Sequence, residues 1–530
     1  MLPGKTINNV LWESANVLRS TMNANDYKDY LLGLIFYKYL SDNMLEDVSK
    51  LIDEPTTDLE KAQQIYEEAY HDPEIAEDLK AELMDRFGYV IEPELTYTAL
   101  MQEVHQNTFQ RESLEQAFRN VEQSNEIFAG LFDDIDLYSN RLGSSPHAQS
   151  SKIQDVMKQL DQVNMAEHQG DVLGDAYEYL IGMFAKESGS KAGEFYTPQP
   201  VSELMTRIVT HGKEDKSGFT VFDPTMGSGA LMLRVKDHNN YPHQIGYFGQ
   251  EINTSTYNLA RMNMILHDVP VPNQHLKNGD TLDADWPVDE PTNFDAVMMN
   301  PPYSARWTAN PAFLDDPRFS PYGKLAPKSR ADMAFLLHGF FHLKEDGAMA
   351  IVLPHGVLFR GGAEATIRQK LLEDGSIDAV IGLPADLFYN TSIPTTIIIL
   401  KKNNPNRDVM FIDASSEFER KKTQNHLTEE HIQKIVETYL NREDVEKYAH
   451  LASFEEIKEN DFNLNIPRYV DTFEEEEPID IVALSEEMVE LNKQIEQAEA
   501  DFLAMVDQLE VTEDSKEIIE ATKRMFGRDL

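Results

Sequence analysis

Phe294-Asp295-Ala296-Val297-Met298-Met299-Asn300-Pro301-Pro302-Tyr303 is a largely apolar run that stops on an amide, two prolines and an aromatic ring. Its first six residues read as a buried strand, and Pro301 and Pro302 end it because neither can donate a ladder hydrogen bond. The turn therefore stands at the carboxyl end of a strand, the edge at which open α/β sheets bind ligands. Successive prolines leave the carbonyls before and between them free to accept; Asn300 adds a side-chain carbonyl and Tyr303 a flat π-face. Two acceptors against a ring suit a planar group bearing an NH2, with adenine's exocyclic amine the leading candidate. The same residues would also serve as a plain strand-ending turn in which Asn300 bonds its own backbone. The flanking sequence has to decide.

From about 200 to 415, short β-like runs at 219–222, 244–249, 294–299, 348–353, 377–382 and 395–400 alternate with helical stretches. Alternation of this kind predicts a Rossmann-like α/β fold, a mainly parallel sheet with crossover helices and a ligand cleft along its carboxyl edge. Residues 1–160 carry mostly helical signals and predict an all-α N-terminal domain; 27–37 is apolar around most of its circumference, as in a buried helix. Asn, Gly, Ser and Pro gather over 134–151 and predict a loop. Leu173, Tyr177, Leu180, Ile181 and Phe184 keep helical spacing, giving an amphipathic helix over 171–185, with a flexible connector at 186–191. After the charged breaker 474–478, Ile481, Leu484, Met488, Leu491, Ile495, Ala498, Phe502, Met505 and Leu509 recur at alternating intervals of three and four. That is the heptad seam of a C-terminal coiled-coil helix, read as an arm for a partner. The expected domains are 1–160, helical; 161–472, the α/β domain; and 473–530, the assembly tail.

The chain has 530 residues with 41% hydrophobic and 26% charged side chains, ordinary for a globular protein of several domains. Its apolar runs are far shorter than the roughly 20 residues of a membrane helix, and the start lacks a signal-peptide pattern, so no membrane and a cytoplasmic location are expected. Cys is absent, which removes disulfides, thiolate metal sites and cysteine nucleophiles. Methylation of a pyrimidine ring carbon needs a covalent cysteine adduct; an exocyclic nitrogen, with its own lone pair, does not. With 47 basic against 92 acidic residues the net charge is −45, the wrong sign for gripping DNA unaided. Either nucleic acid is not the substrate or another chain supplies the phosphate contacts.

Asp223-Pro224-Thr225-Met226-Gly227-Ser228-Gly229-Ala230 leaves one strand-like run, turns on glycines and enters a helix at Leu231-Met232-Leu233. No Lys-Ser or Lys-Thr follows, so it is not a P-loop. Glu251 ends the next run, where an acid can bond ribose hydroxyls, and Asp280 follows in a position to accept from an adenine amine. Carboxylates and glycine backbone without clustered cations suit a ligand with adenosine and no phosphates, namely S-adenosylmethionine. Upstream, Gly193-Glu194-Phe195-Tyr196-Thr197-Pro198-Gln199-Pro200 opens a helix whose free N–H groups suit the methionine carboxylate. No metal is expected; the scattered His read as ordinary surface or core residues.

In this order the motifs resemble the N6-adenine DNA methyltransferases in which Gly-Glu-Phe-Tyr-Thr-Pro precedes the cofactor loop. More narrowly, residues 171–180, the helical region around 30–42, and Asn463-Leu464-Asn465-Ile466-Pro467-Arg468-Tyr469 resemble the modification (M) subunit of type I restriction–modification systems. The resemblance implies that Glu194, Phe195, Tyr196, Thr197, Pro198 and Gln199, with Gly227, Ser228, Gly229, Ala230 and Glu251, contact S-adenosylmethionine, and that Asp280 meets its adenine. It implies that Asn300 and the Pro301 carbonyl accept from the target amine while Tyr303 stacks on the flipped base. Ala230 stands where many relatives carry a further glycine. The implied partners are a specificity (S) subunit that reads the sequence, a restriction (R) subunit, a second M subunit, and double-stranded DNA through the complex. A self-sufficient adenine methyltransferase, a protein glutamine methyltransferase and a non-catalytic acidic scaffold remain as alternatives.

Overall fold

Runs such as Ile377–Gly382 and Thr395–Leu400 are buried at every position, which only a central strand covered on both faces can satisfy. In the structure, a computed structural model describing residues 7–168, 171–187, 196–388, 391–421, 424–472 and 480–526, these runs form the middle of one large sheet. The strands are β1 (Thr220–Asp223), β2 (Gly246–Glu251), β3 (Gln274–Asn278), β4 (Phe294–Met299), β5 (Leu343–Pro354), β6 (Ile377–Gly382), β7 (Thr395–Leu400), β8 (Val409–Asp413), β9 (Glu419–Arg420), β10 (Asn425–His426) and β11 (Ala449–Ala452). Nine of them pair in the order β11-β8-β6-β7-β5-β4-β1-β2-β3. The expectation of a mainly parallel sheet holds for β3-β2-β1-β4-β5 and for β6-β8. It fails at β7, which runs antiparallel between β5 and β6, and at β11, antiparallel to β8. An apolar run carries no direction, so the reversal was invisible in the sequence.

Alternate residues of each strand feed opposite layers. Ala296, Met298, Ala350, Val352, Ile397 and Ile399 pack on one face beneath Val201, Leu204, Met205 and Ile208 of helix Gln199–Thr210. Phe294, Val297, Met299, Ile351, Ile398 and Leu400 pack on the other, against Met333, Leu336, Leu337 and Phe340 of helix Asp332–Phe341. Each such side chain contributes about 1.5–3 kcal/mol on burial. At its start β4 is tied to β1 by Asp295, fully buried, which accepts from Lys216 Nζ at 2.5 Å, Lys344 Nζ at 2.9 Å and Thr220 N at 3.0 Å. Burial alone would raise the Asp295 carboxyl, but these donors prevail and hold it below the ordinary range.

Before the sheet, helices from Ile7–Arg19 to Pro146–Leu160 enclose a separate apolar core around helix Ala24–Leu51. The loop expected over 134–151 is shorter than that. Ser145 accepts from Ala148 N and Pro146 takes the first helical position, so the Ser-Ser-Pro that reads as loop is the start of helix Pro146–Leu160. Helix Asp171–Glu187 buries Leu173, Tyr177, Leu180 and Phe184 in this same core, beside Leu259 and Met262 of helix Thr254–Leu266.

Contacts gather Met1–Asp471 into one compact unit and Thr472–Leu530 into another. In the second, Asp480 caps helix Ile481–Asp507 by accepting from Val482 N and Ala483 N. Helix Lys516–Phe526 folds back on it through Val506, Ile519 and a Phe502–Phe526 edge contact at 5.0 Å. Ile481, Leu484, Met488, Leu491 and Ile495 stay exposed along the seam, Leu509 lies past the helix end, and 474–478 is outside the described residues. Among the described residues no helix is long and apolar enough to cross a membrane.

Candidate active site

β4 delivers Asn300 to the carboxyl edge of the sheet, nearly buried, with its amide held at both ends. Asn300 Nδ2 donates to Thr197 Oγ1 at 3.1 Å, and the Tyr303 hydroxyl donates to Asn300 Oδ1 at 2.9 Å. Two stretches read separately in the sequence, 193–200 and 300–303, thus meet through one hydrogen bond. The bond fixes the amide so that Oδ1, which has a second lone pair, stays on the Tyr303 side. Burial, and then the charge of Asp332, push the Tyr303 phenol well up, so it remains a donor. Its ring meets Phe388 edge-on at 6.4 Å. After the turn, Ser304 adopts φ +54°, and its N–H is accepted by the fully buried Asp332 at 2.7 Å. Arg360 Nη1 lies 3.3 Å from the same carboxylate.

Beside the turn lies a cavity of about 320 Å³ whose lining includes Gln250, Glu251, Ile252, Asp280, Pro302 and Phe335. Glu251 ends β2 and serves two donors: Oε2 accepts from Gly227 N at 3.2 Å and Oε1 from Asn253 N at 2.7 Å. Burial pushes its carboxyl up against those donors. Asp280 accepts from Leu282 N at 2.9 Å, which turns the chain at the cavity wall. Gln250 is 2% exposed and its Oε1 has no hydrogen-bond partner. A buried acceptor left unmet on a cavity wall costs roughly 1–3 kcal/mol and suits a ligand that brings a donor.

The glycine loop stands behind this wall. Gly227 and Gly229 take φ +55° and +78°, and a Cβ on Gly229 would come 3.1 Å from Met264 Cε. Ser228 is buried and its carbonyl accepts from Asn263 Nδ2 at 3.0 Å; Ala230 begins one turn of α-helix, Ala230–Leu233, that tightens into a 3-10 helix. Asp223 is 1% exposed and accepts from both the backbone and hydroxyl of Thr225 at 2.9 and 3.1 Å. Burial pushes its carboxyl up to about 7, reinforced by the nearby Glu251.

Glu251, Asp280 and Pro302 therefore share one cavity; Thr197, Asn300 and Tyr303 form one bonded cluster; and Gly227 joins the first group through Glu251. Asp223, Ser228 and Ala230 are not in the cavity lining, Pro301 is buried in the turn, Tyr196 is buried in the helical core, and Pro198 and Gln199 start helix Gln199–Thr210. Glu194 and Phe195 lie outside the described residues. Sequence reasoning missed Gln250, Thr281, Trp307 and Phe335, and it passed over Ile252, which is 66% exposed beside Glu251. An apolar residue following an acid at a strand end was the available signal for Ile252.

Asp285, His338 and His342 also come together, with candidate ligand atoms within 4.8 Å of one another. Their atoms are engaged: Asp285 Oδ1 faces His342 Nε2 at 2.8 Å, and Arg318 Nη1 is 3.2 Å from His338 Nδ1. Burial, with His342 and Arg318 beside it, holds His338 well below the ordinary range. A guanidinium in that place opposes a cation, and the group acts instead as a buried strut. Arg318 passes the support on to the cavity wall by donating to the Thr281 carbonyl at 3.0 Å.

The sheet order, the acceptor-rich turn and the nucleoside-sized cavity beside it define a Rossmann-like methyltransferase fold, preceded by a helical region and followed by a long helix. Residues 168–478 match the N-6 DNA methylase family and residues 7–160 match the HsdM N-terminal domain. The MpnII type I restriction enzyme methylase subunit of Mycoplasma pneumoniae is 35% identical over 509 residues, 91% of this chain and 92% of that one. The MjaVII methylase subunit of Methanocaldococcus jannaschii is 35% identical over 64% of this chain and 60% of its own length. A crystal structure of the type I restriction-modification system methyltransferase subunit from Streptococcus thermophilus has a TM-score of 0.87 and 63% identity, covering 88% of this chain and 99% of that one. The chain belongs to the N-6 DNA methylase family, among the type I restriction enzyme methylase subunits, and is an adenine-specific DNA methyltransferase.

Proposed function

We propose that the cavity walled by Glu251 and Asp280 takes S-adenosylmethionine, and that Asn300, Pro301, Pro302 and Tyr303 hold a flipped adenine for methylation at N6. The observation that carries this is the shared wall: Pro302 belongs both to the acceptor turn and to the cavity that holds both carboxylates and the unmet Gln250 Oε1. The fit is to a nucleoside without phosphates, because Arg306 is the single cation in the cavity lining. Glu251 would take ribose hydroxyls, Asp280 the adenine amine, and Gln250 Oε1 a further donor. The Gly227 to Ala230 loop would pass close behind, with Asp223 setting its first turn, and 194–199 would bound the methionine end. When bound, the cofactor supplies an electrophilic sulfonium methyl group.

The target base leaves the duplex at a cost of a few kcal/mol, offset by stacking on Tyr303 and by acceptors along its edge. Asn300 Oδ1 and the Pro301 carbonyl would accept the two amine hydrogens, favouring a pyramidal nitrogen with its lone pair toward the cavity. The Thr197 hydroxyl keeps Asn300 in that orientation without moving a proton. Positioning would supply much of the acceleration. As in the relatives named as methylase subunits of type I restriction enzymes, the chain would work in a multisubunit complex in the cytoplasm. A specificity subunit would read double-stranded DNA, a second copy of this chain would join it, and a restriction subunit would cut. Residues 473–530 would serve assembly.

The test is calorimetric titration of the chain with S-adenosylmethionine, followed by radiolabel transfer to DNA with and without the specificity partner. Binding with partner-dependent labelling is expected. Transfer to protein and none to DNA would overturn the reading.

A further inference from the structure

Between the catalytic turn and helix Asp332–Phe341 the chain makes a long ordered loop whose charge is opposite to that of the protein. Residues 304–331 carry Arg306, Arg318, Lys324, Lys328 and Arg330 against Asp315 and Asp316, in a chain of net charge −45. The loop has its own interior. Trp307 stacks on Phe313 at 5.7 Å and 2°, Phe319 packs on both rings, and Arg318 is consumed by Asp316 at 2.7 Å. Its neck is closed by Trp307 N to Lys328 O at 3.2 Å, Trp307 Nε1 to Pro327 O at 3.2 Å and Ala331 N to Ala305 O at 2.8 Å. The neck, closed at Ala305 and Ala331, directly follows the turn that holds Asn300 to Tyr303.

Three of the remaining cations of the loop are not spent within the fold. Arg306, Lys324 and Lys328 are exposed, and among the described residues none of the three has a carboxylate within 4 Å in an ion pair. Arg330, half-buried, faces inward instead, where its charge offsets the buried Glu364 carboxylate. Exposed lysines elsewhere, Lys277 and Lys458 among them, also stand outside the ion pairs; what sets these three apart is that they share one loop beside the catalytic turn in a strongly acidic chain. Exposed cations carried on one internally packed loop beside a base-handling turn suit an anion that arrives with the substrate.

We propose that Arg306, Lys324 and Lys328 form a local clamp for DNA backbone phosphates next to the flipped adenine. The proposal rests on the methyltransferase reading above and changes one part of the sequence reading: this chain does not leave every phosphate contact to another subunit. The clamp holds the backbone at the point of extrusion, while the acidic remainder of the surface discourages unspecific binding elsewhere.

The test uses the assembled methyltransferase with its sequence-reading partner and the double variant Lys324→Gln/Lys328→Gln. These two side chains are exposed and are not cavity-lining residues. The KM for DNA is measured across a series of salt concentrations. Each phosphate contact contributes about 0.9 to the slope of log affinity against log salt, so the slope should fall by about one to two and the KM for DNA should rise on the order of tenfold. Affinity for S-adenosylmethionine and kcat at saturating DNA should not change. An unchanged slope and KM would overturn the clamp, as would an equal effect from Lys370→Gln on helix Ala363–Glu373. Failure of the wild-type assembly to bind S-adenosylmethionine or label DNA would instead overturn the methyltransferase reading.

Discussion

The carboxylate of Asp332 accepts the N–H of Ser304 at 2.7 Å while Ser304 sits in the left-handed region at φ +54°. A non-glycine residue there costs of order 1 kcal/mol or more and persists only when neighbours demand it. Asp332 is that neighbour, and through Ser304 it sets where Tyr303 ends. We expect Asp332→Asn to lower kcat about tenfold with affinity for S-adenosylmethionine unchanged, and Ser304→Gly in the same chain to restore part of the loss. Steady-state methylation kinetics on the two variants, with cofactor titration, measure this; equal loss of cofactor affinity would contradict it.

Asn300 and its two partners should separate into graded effects. Asn300→Ala removes an acceptor used at the reacting nitrogen and should lower kcat/KM by about 10²–10³-fold. Thr197→Val keeps the shape but frees the amide to turn, and a loss of about fivefold is expected from one hydrogen bond worth roughly 1 kcal/mol. Tyr303→Phe keeps the ring and should be the mildest of the three. Single-turnover rates at saturating cofactor give the order, which a dominant role for the Tyr303 hydroxyl would invert.

Gln250 carries opposite expectations for stability and binding. Gln250→Leu removes a buried acceptor that has no partner, so thermal stability without ligand should rise by roughly 1 kcal/mol. The same change should weaken S-adenosylmethionine binding by about tenfold, because the ligand's donor loses its acceptor. Differential scanning calorimetry and titration on one preparation check both signs. A ligand that ignores Gln250 would leave affinity unaltered.

Asp223 should give a pH signature. Unfolded, an aspartate titrates near pH 3.9; folded, burial moves Asp223 up to about 7. A raised folded pKa means that its contribution is fully present below the unfolded value and is lost as pH rises through the folded one. Asp223→Asn, neutral throughout, should therefore gain in Tm relative to wild type between about pH 4 and 7, with a constant difference above. Thermal melts across that range decide it, and a flat difference would show that the carboxylate stays ionised.

How much was readable depended on how buried each element is. β4, β6 and β7 announced themselves at their observed limits because every position is buried and most are apolar. β3 did not, since Gln274–Asn278 is an edge strand of mostly exposed, polar residues held by its pairing to β2. Glu251 was legible as an acid at a strand end and Asp280 by its place after the glycine loop, and the two do share a cavity. The Thr197 to Asn300 bond joins residues far apart in the chain, so no local pattern could carry it. Helix Lys516–Phe526 was not separated from the seam because it folds back, bringing Phe526 against Phe502, only after a chain reversal that the heptad pattern does not carry.

The reversed strand β7 has a further effect on how the enzyme can vary. β6 ends at the catalytic edge and β7 begins there, so the two strands are joined on the active side of the sheet and not through a crossover from its far edge. That passage brings Phe388 against Tyr303. Length changes in this connection would therefore be felt at the target base and hardly at all by the scaffold.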